Sequence, residues 1–438
     1  MRKNILTILL ILFSVICFSQ EKSITYWKGN QKKSEGFYKD SVQVGKWTYW
    51  FKNGKEMLVC TFDTNGNKTG KWIEWYPNGQ KWHETNIENG VNIRWNITGT
   101  KIQEGKVLNG KKDGKWLQWY DNGKVKEEAY FVSGKKEGVC IQSYRSGKKA
   151  FEGTYKNDEI EGFANWWYPS GILEMTGKSI AGLQHSIWEF IHENGNIGSK
   201  GNFVNGKQDG LWTYWYETKE LWKKGNFSEG LKIGIWTTYY ESGQKLQEGN
   251  YVDGNEDGEW TRWYDNGKVK DIGNFKSGKM HGKWEGWFKD GQKKYEANYQ
   301  NSLKNGESVQ YYMNGKKRYL GDFKDGLKDG SYSEWYEIGN LQECGKYKEG
   351  KKIDKWIFYD KFGKKFKEQV FVDGKPTGKW TAYYKNEQKQ GQGNYKGVKK
   401  HGKWTYWDKD GKIVYQVIYK NGVKIKETVN ERANIKLQ

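Results

Sequence analysis

The chain is 438 residues long with a formal net charge of +21, but only 35% of it is apolar and its mean hydropathy is −1.01. Aromatic residues, at 17%, supply about half of the apolar share, which excludes a conventional Leu/Ile/Val core. With 56 glycines against 3 prolines the chain must turn often without being a Pro-rich linker, and many short strands are expected.

Residues 1–19, MRKNILTILLILFSVICFS, begin with Arg2 and Lys3, run apolar from Ile5 to Ile16, and put Cys17 and Ser19 at the −3 and −1 positions of a cut before Gln20. This is the pattern of a secretory signal peptide, too short for a membrane span. Lipid attachment at Cys17 is the lesser alternative, because Ile16 stands where a small residue is wanted. No later run approaches transmembrane length, so an exported protein is expected, periplasmic or extracellular, with at most peripheral attachment to the envelope. The leader holds two basic residues and no acid, so the remaining chain carries +19. Such a charge attracts anionic partners: phospholipid headgroups, acidic glycan or an acidic protein. Nucleic acid is not expected as a partner of an exported protein. Cys60, Cys140 and Cys344 are odd in number and far apart, so they are expected as free thiols rather than disulfides or metal ligands.

From Gly114 onward the sequence repeats every 24 residues: Gly114, Gly138, Gly162, Gly210, Gly234, Gly258, Gly282, Gly306, Gly330, Gly378 and Gly402 share one grid, with Ser186 and Asp354 in its two gaps. Gly45, Gly70 and Gly90 begin earlier, less regular units. The expected organisation is a truncated repeat and cap over 20–44, tandem repeats over 45–425 and a tail over 426–438, about 17 repeats in all.

Counting the grid residue as slot zero, slot two holds Trp47, Trp72, Trp116, Trp188, Trp212, Trp236, Trp260, Trp284, Trp356, Trp380 and Trp404. Slots five and six are aromatic pairs such as Trp119-Tyr120 and Trp263-Tyr264, slot nine is usually Gly after Asn, Asp or Ser, and slot 15 is Gly or Ala followed two residues later by Phe or Tyr. A second glycine near slot 20 closes the unit. Two turns per unit leave only short, aromatic-rich extended segments, so each repeat reads as a β-hairpin. Asn-Gly at slots eight and nine predicts a two-residue type I′ turn. Counting back from Asn122-Gly123 sets Trp116 opposite Ala129 and Gly114 opposite Phe131, so that an aromatic side chain covers a small residue across its own hairpin. Slots two and 17 therefore read as a structural ladder: Trp47, Trp72, Trp116, Trp212, Trp236, Trp260, Trp284, Trp356, Trp380 and Trp404.

By period-two alternation slot five points to the other face. Trp119, Trp167, Trp215, Trp263, Trp287, Trp335 and Trp407 are therefore the candidate binding face. The fold class expected is all-β, an elongated single-layer antiparallel hairpin array, adding about 10 Å per repeat and on the order of 160 Å in total.

GKWTYWFKNGK, GLWTYWYETKE, GEWTRWYDNGK and GKWTYWDKDGK, each followed by a Gly-x-aromatic strand, resemble the MORN repeat variant of bacterial YwqK-type proteins. The resemblance implies hairpin repeats, and with them membrane-phospholipid contact, scaffolding, dimerisation or an antitoxin role. The leader argues against an antitoxin of a cytoplasmic toxin. His83, His185, His192, His281 and His401 stand in no metal spacing, and neither a GxSxG nor a phosphate-binding loop occurs. No catalytic residue, metal site or cofactor is expected. A non-catalytic exported scaffold for a protein partner or an anionic envelope surface is the expected function, with glycan binding on an aromatic platform as the alternative. Cys140, Ala164 and Ser308 replace the slot-two Trp, and Lys219 and Glu387 are expected to break the first turn.

Overall fold

The computed structural model describes residues 20–429; the leader expected at 1–19 and residues 430–438 of the expected tail lie outside the described residues. The chain divides into two compact units, Met1–Lys207 and Gln208–Gln438. The first carries β1 (Glu21–Tyr26) through β16 (Ile197–Val204), and the second β17 (Lys207–Trp215) through β35 (Val423–Val429). All 35 strands are antiparallel, and no helix occurs among the described residues, so none is long and apolar enough to cross a membrane. The last strand runs on to Val429, so 426–429 are strand rather than tail.

Within each unit the chain is a meander in which every strand pairs with its neighbours in sequence. The expected register holds, with Trp116 opposite Ala129 and Gly114 opposite Phe131. The turn that set it is different. The Gly123 N–H donates to the Tyr120 carbonyl and the Tyr120 N–H to the Lys124 carbonyl, closing a three-residue loop in which Gly123, at φ 80°, has the left-handed conformation. This is a type I turn with a glycine bulge, and the one-residue shift between Val125 and Glu127 restores the register. The type I′ geometry belongs to the other turn, where Ser133 and Gly134 both have positive φ, at 51° and 91°. Lys219 and Glu387 do not break the first turn: both take the glycine's left-handed conformation, at φ 80° and 66°, and keep its hydrogen bond.

Each Trp does not cover the residue across its own hairpin. The Trp116 ring turns to the preceding repeat and lies on Gly105, where a Cβ would come within 2.1 Å of the indole. Its Nε1–H donates to the Lys106 carbonyl at 2.9 Å, and Trp188, Trp236, Trp260, Trp284 and Trp404 each bond the carbonyl ten residues back at 3.0–3.2 Å. The glycine therefore lets the indole reach the neighbouring backbone, and burying ring and N–H together satisfies both. Where slot 15 is Ala, at Ala129 and Ala297, the residue opposite on the next strand is the small Cys140 or Ser308.

Gln369 is the informative exception. Its amide donates to the Val370 and Thr377 carbonyls, which lie ten and three residues before Trp380, the offsets at which Trp356 bonds the Lys346 and Ile353 carbonyls. Gln369 thus occupies the indole's place. Trp380 is displaced, half-buried, and packs instead on Trp404 with ring centroids 5.0 Å apart.

Candidate functional site

The ladder Trp47, Trp72, Trp116, Trp212, Trp236, Trp260, Trp284, Trp356 and Trp404 is buried, as is Trp188. Phe and Tyr at slot 17 meet these rings edge-on, as Phe275 meets Trp284 at 5.1 Å. Lysines close the ladder from outside: the Lys112 and Lys232 ammonium groups stand over Trp116 and Trp236 at 4.5 and 4.6 Å, and Lys328 over Tyr332, which takes the slot-two place in its repeat, at 3.6 Å; burial lowers the pKa values of all three. Burial also pushes the Cys60 thiol up to about 11 and raises that of Cys140, so both are inert thiols filling ladder positions.

The opposite face holds Trp119, Trp167, Trp215, Trp263, Trp287, Trp335 and Trp407, all half-buried. A lysine lies over most of these rings: Lys101 over Trp119, Lys149 over Trp167, Lys245 over Trp263, Lys293 over Trp287, Lys317 over Trp335 and Lys389 over Trp407, at 5.2–6.0 Å. Several of these lysines also pair with a glutamate, as Lys101 does with Glu104 at 2.7 Å and Lys245 with Glu248 at 2.7 Å. A ligand stacking on these tryptophans would first have to displace the lysine. Slot-six tyrosines are fully engaged as well. Tyr120, Tyr216, Tyr264 and Tyr384 each donate their hydroxyl to a carbonyl of the next repeat at 2.9 Å.

The variable positions lie elsewhere. Slot four and slot 13 pair directly across every hairpin and every junction within a unit, on the same face as the ladder and one step nearer the first turn. In the first unit the row runs Ser34, Tyr49, Leu58, Glu74, His83, Arg94, Gln103, Gln118, Glu127, Gln142, Phe151, Trp166, Met175, Phe190, Ser199, each opposite the next. In the second it begins Tyr214, Lys223, Thr238, Gln247, Arg262, Asp271 and continues to Tyr415. Here the frame stays constant while the side chains range over every class. Local pairs give the row definite shape: Arg262 Nε donates to the buried Asp271 carboxylate at 2.5 Å, and Glu127 accepts from Lys136 and Gln142 at 3.0 and 2.9 Å.

Sequence reasoning passed over these two slots because they hold no fixed residue type. The signal was available in that same fact: slot-by-slot variation in an otherwise repeated unit.

One point in the row is concave. At Asn92 the slot-two Trp is missing, and β6 (Lys81–Asn86) and β7 (Gly90–Trp95) are registered at just two positions. A cavity of about 250 Å³ opens there, lined by His83, Thr85, Asn92, Ile93, Arg94, Gln103 and Trp116. Arg94 Nε donates to His83 Nε2, so the imidazole proton is on Nδ1, 3.5 Å from the Glu74 carboxylate. Burial, then the Arg94 charge, hold the His83 pKa below its ordinary value. Elsewhere the missing indole is replaced: Phe151 packs over Gly153 beside Ala164.

Nine segments, 68–89, 112–133, 136–157, 208–229, 232–253, 256–277, 280–301, 376–396 and 400–421, match the family model described as MORN repeat variant. No curated protein matches the sequence. Similar solved structures include a TcdB2–TccC3–Cdc42 complex, at 8% identity over 91% of this chain and 28% of that one with a TM-score of 0.14. Another is the Photorhabdus luminescens Tc holotoxin pore, at 9% identity over 92% and 27% with a TM-score of 0.15. This chain spans less than a third of either, and likeness at that level carries no argument about it.

Proposed function

We propose that this array of MORN-variant repeats is a non-catalytic, exported scaffold whose ladder face reads a protein partner along slots four and 13. The observation that carries this reading is that slots four and 13 pair into a row within each unit whose side chains range over every class, while the ladder beside it repeats. A uniform anionic surface would be met best by uniform cations. The row instead mixes Arg94, Glu127, Lys223, Arg262, Asp271, Glu334, Glu343 and Lys367 with aromatics, which suits the mixed surface of a protein. Export rests on the leader, and the +19 charge serves encounter more than recognition. An immunity partner of a toxin, as the YwqK resemblance implies, is one case of such a protein; a toxin-like gene alongside would distinguish it.

The test is capture from the envelope fraction by the mature chain. Gln118→Arg with Gln247→Arg is expected to lose the captured protein, and Trp119→Ala with Trp263→Ala to retain it. Capture that survives the first pair and fails with the second would overturn the reading.

A second reading, an acidic sugar held in the cavity at Asn92, is favoured by the exposed Arg94 guanidinium in its lining. Glucuronate binding that is unchanged in Arg94→Gln would dismiss it.

A further inference from the structure

Asparagine is chemically labile, most of all before glycine, whose bare Cα leaves the backbone nitrogen open to attack the asparagine side chain. This chain places Asn-Gly in both kinds of turn. Asn53, Asn78, Asn122, Asn266 and Asn314 stand at slot eight of a first turn, and Asn109, Asn205 and Asn421 at slot 19 of a second turn, each followed by glycine.

The same dipeptide meets two different surroundings. At each of these first turns the side chain is tied twice. Its Oδ1 accepts from the backbone N–H two residues on, at 3.0–3.1 Å, and its Nδ2 donates to a carbonyl in the turn of the next repeat, at 2.8–3.0 Å. Asn122 thus accepts from Lys124 and donates to the Arg145 carbonyl. Asn109, Asn205 and Asn421 are exposed, and among the described residues their side-chain amides bond to nothing. The glycine N–H does not separate the two classes. Gly123 donates to the Tyr120 carbonyl at 3.0 Å, and Gly206 to the Gln184 carbonyl at 2.9 Å. The asparagine side chain is the difference.

Deamidation joins the glycine nitrogen to the asparagine Cγ. The new N–Cγ bond replaces the Cγ–Nδ2 bond, and ammonia leaves with the proton of the glycine nitrogen. Water then opens the succinimide at one of its two carbonyls, giving aspartate or isoaspartate. The side chain must first swing onto the following peptide. At a first turn both of its hydrogen bonds break before that swing, and together they slow the reaction about tenfold or more. At a second turn neither bond exists.

We propose that Asn109, Asn205 and Asn421 are sites of spontaneous deamidation, and that the first-turn asparagines are held against the same reaction by their bonds to the next repeat. The product fits where it forms. Asp253, Asp325 and Asp373 hold slot 19 in other repeats with φ of 48°, 48° and 50°, beside 51°, 49° and 51° for the three asparagines. At slot eight a carboxylate has no proton to donate to the neighbouring carbonyl. Each conversion removes one unit of net positive charge at a second turn, and isoaspartate also adds one backbone atom to a two-residue loop. The modification lies outside the row of slots four and 13 and is independent of what that row binds.

Peptide mass spectrometry of the folded chain after incubation in mildly alkaline buffer, with an isoaspartate methyltransferase assay on the same peptides, tests the proposal. Conversion at Asn109, Asn205 and Asn421 is expected to run at least about tenfold faster than at Asn122, Asn266 and Asn314. In urea the two sets are expected to convert at similar rates, since every site is Asn-Gly. A folded chain that converts at neither set, equal rates at both, faster conversion at the first turns, or a difference that persists in urea would each overturn it.

Discussion

Gly273→Ala separates two accounts of the slot-15 glycines. If the glycine is merely tolerated, alanine should stabilise the strand by about 0.4–1 kcal/mol, since Gly273 is not among the residues with positive φ and alanine restricts the unfolded chain. If the glycine is a seat for the indole, the added Cβ would lie 2.1, 2.3 and 2.4 Å from Trp284 Cδ2, Cε2 and Cγ, and the ring must leave. Trp284 is 1% exposed and its Nε1–H donates to the Asn274 carbonyl at 3.0 Å. Expelling it forfeits packing on the scale of a Trp→Ala change, about 3–5 kcal/mol, less whatever the displaced ring regains as Trp380 does against Trp404; a loss of about 3 kcal/mol is expected. Urea unfolding followed by tryptophan fluorescence, with amide exchange to localise the loss to this repeat, reads the change. Gly273→Ala/Trp284→Ser reproduces the Ala297/Ser308 arrangement already present, so its cost should fall well below the sum of the single changes. Stabilisation by Gly273→Ala, or strict additivity in the double variant, would refute the reasoning.

Two further outcomes are expected. Gln369→Gly should let Trp380 return to the Val370 and Thr377 carbonyls, reducing its quenching by acrylamide and raising local protection against exchange. Hydrogen bonds from Lys283 and then Lys293 hold the Glu285 carboxyl below its ordinary range. A lowered folded-state pKa contributes stability above the unfolded value and loses it as pH falls, so this repeat should loosen below about pH 4.5. Lys283→Met should flatten that dependence in exchange measured from pH 6 to pH 3.

Much of the architecture was legible because its causes are local. Positive φ at the bulges selects glycine at the grid positions, and Ser186 and Asp354 adopt the same conformation, at φ 63° and 57°. Alternation along each strand then sorted the slots onto two faces. The turns were misassigned because Asn-Gly suits both a type I′ turn and a type I turn with a bulge, and only the backbone hydrogen bonds distinguish them. The direction of each indole was missed because Trp116 has a small residue on both sides, Gly105 and Ala129. The clue lay eleven residues apart, in Ala129 with Cys140 and Ala297 with Ser308, where a larger slot 15 goes with a smaller slot two. Alternation placed the slot-five tryptophans on the second face, but the lysines over them, such as Lys101 over Trp119, come from other slots and were not legible.

The central claim is that recognition runs along the row of slots four and 13. Leu117 and Gln118 are adjacent and face opposite ways, as are Ile141 and Gln142. Photo-cross-linking from each of the four positions, in cells and against the native envelope, tests it directly. The account predicts one partner protein captured from Gln118 and Gln142 and not from Leu117 and Ile141; capture from Leu117 and Ile141 alone would contradict it.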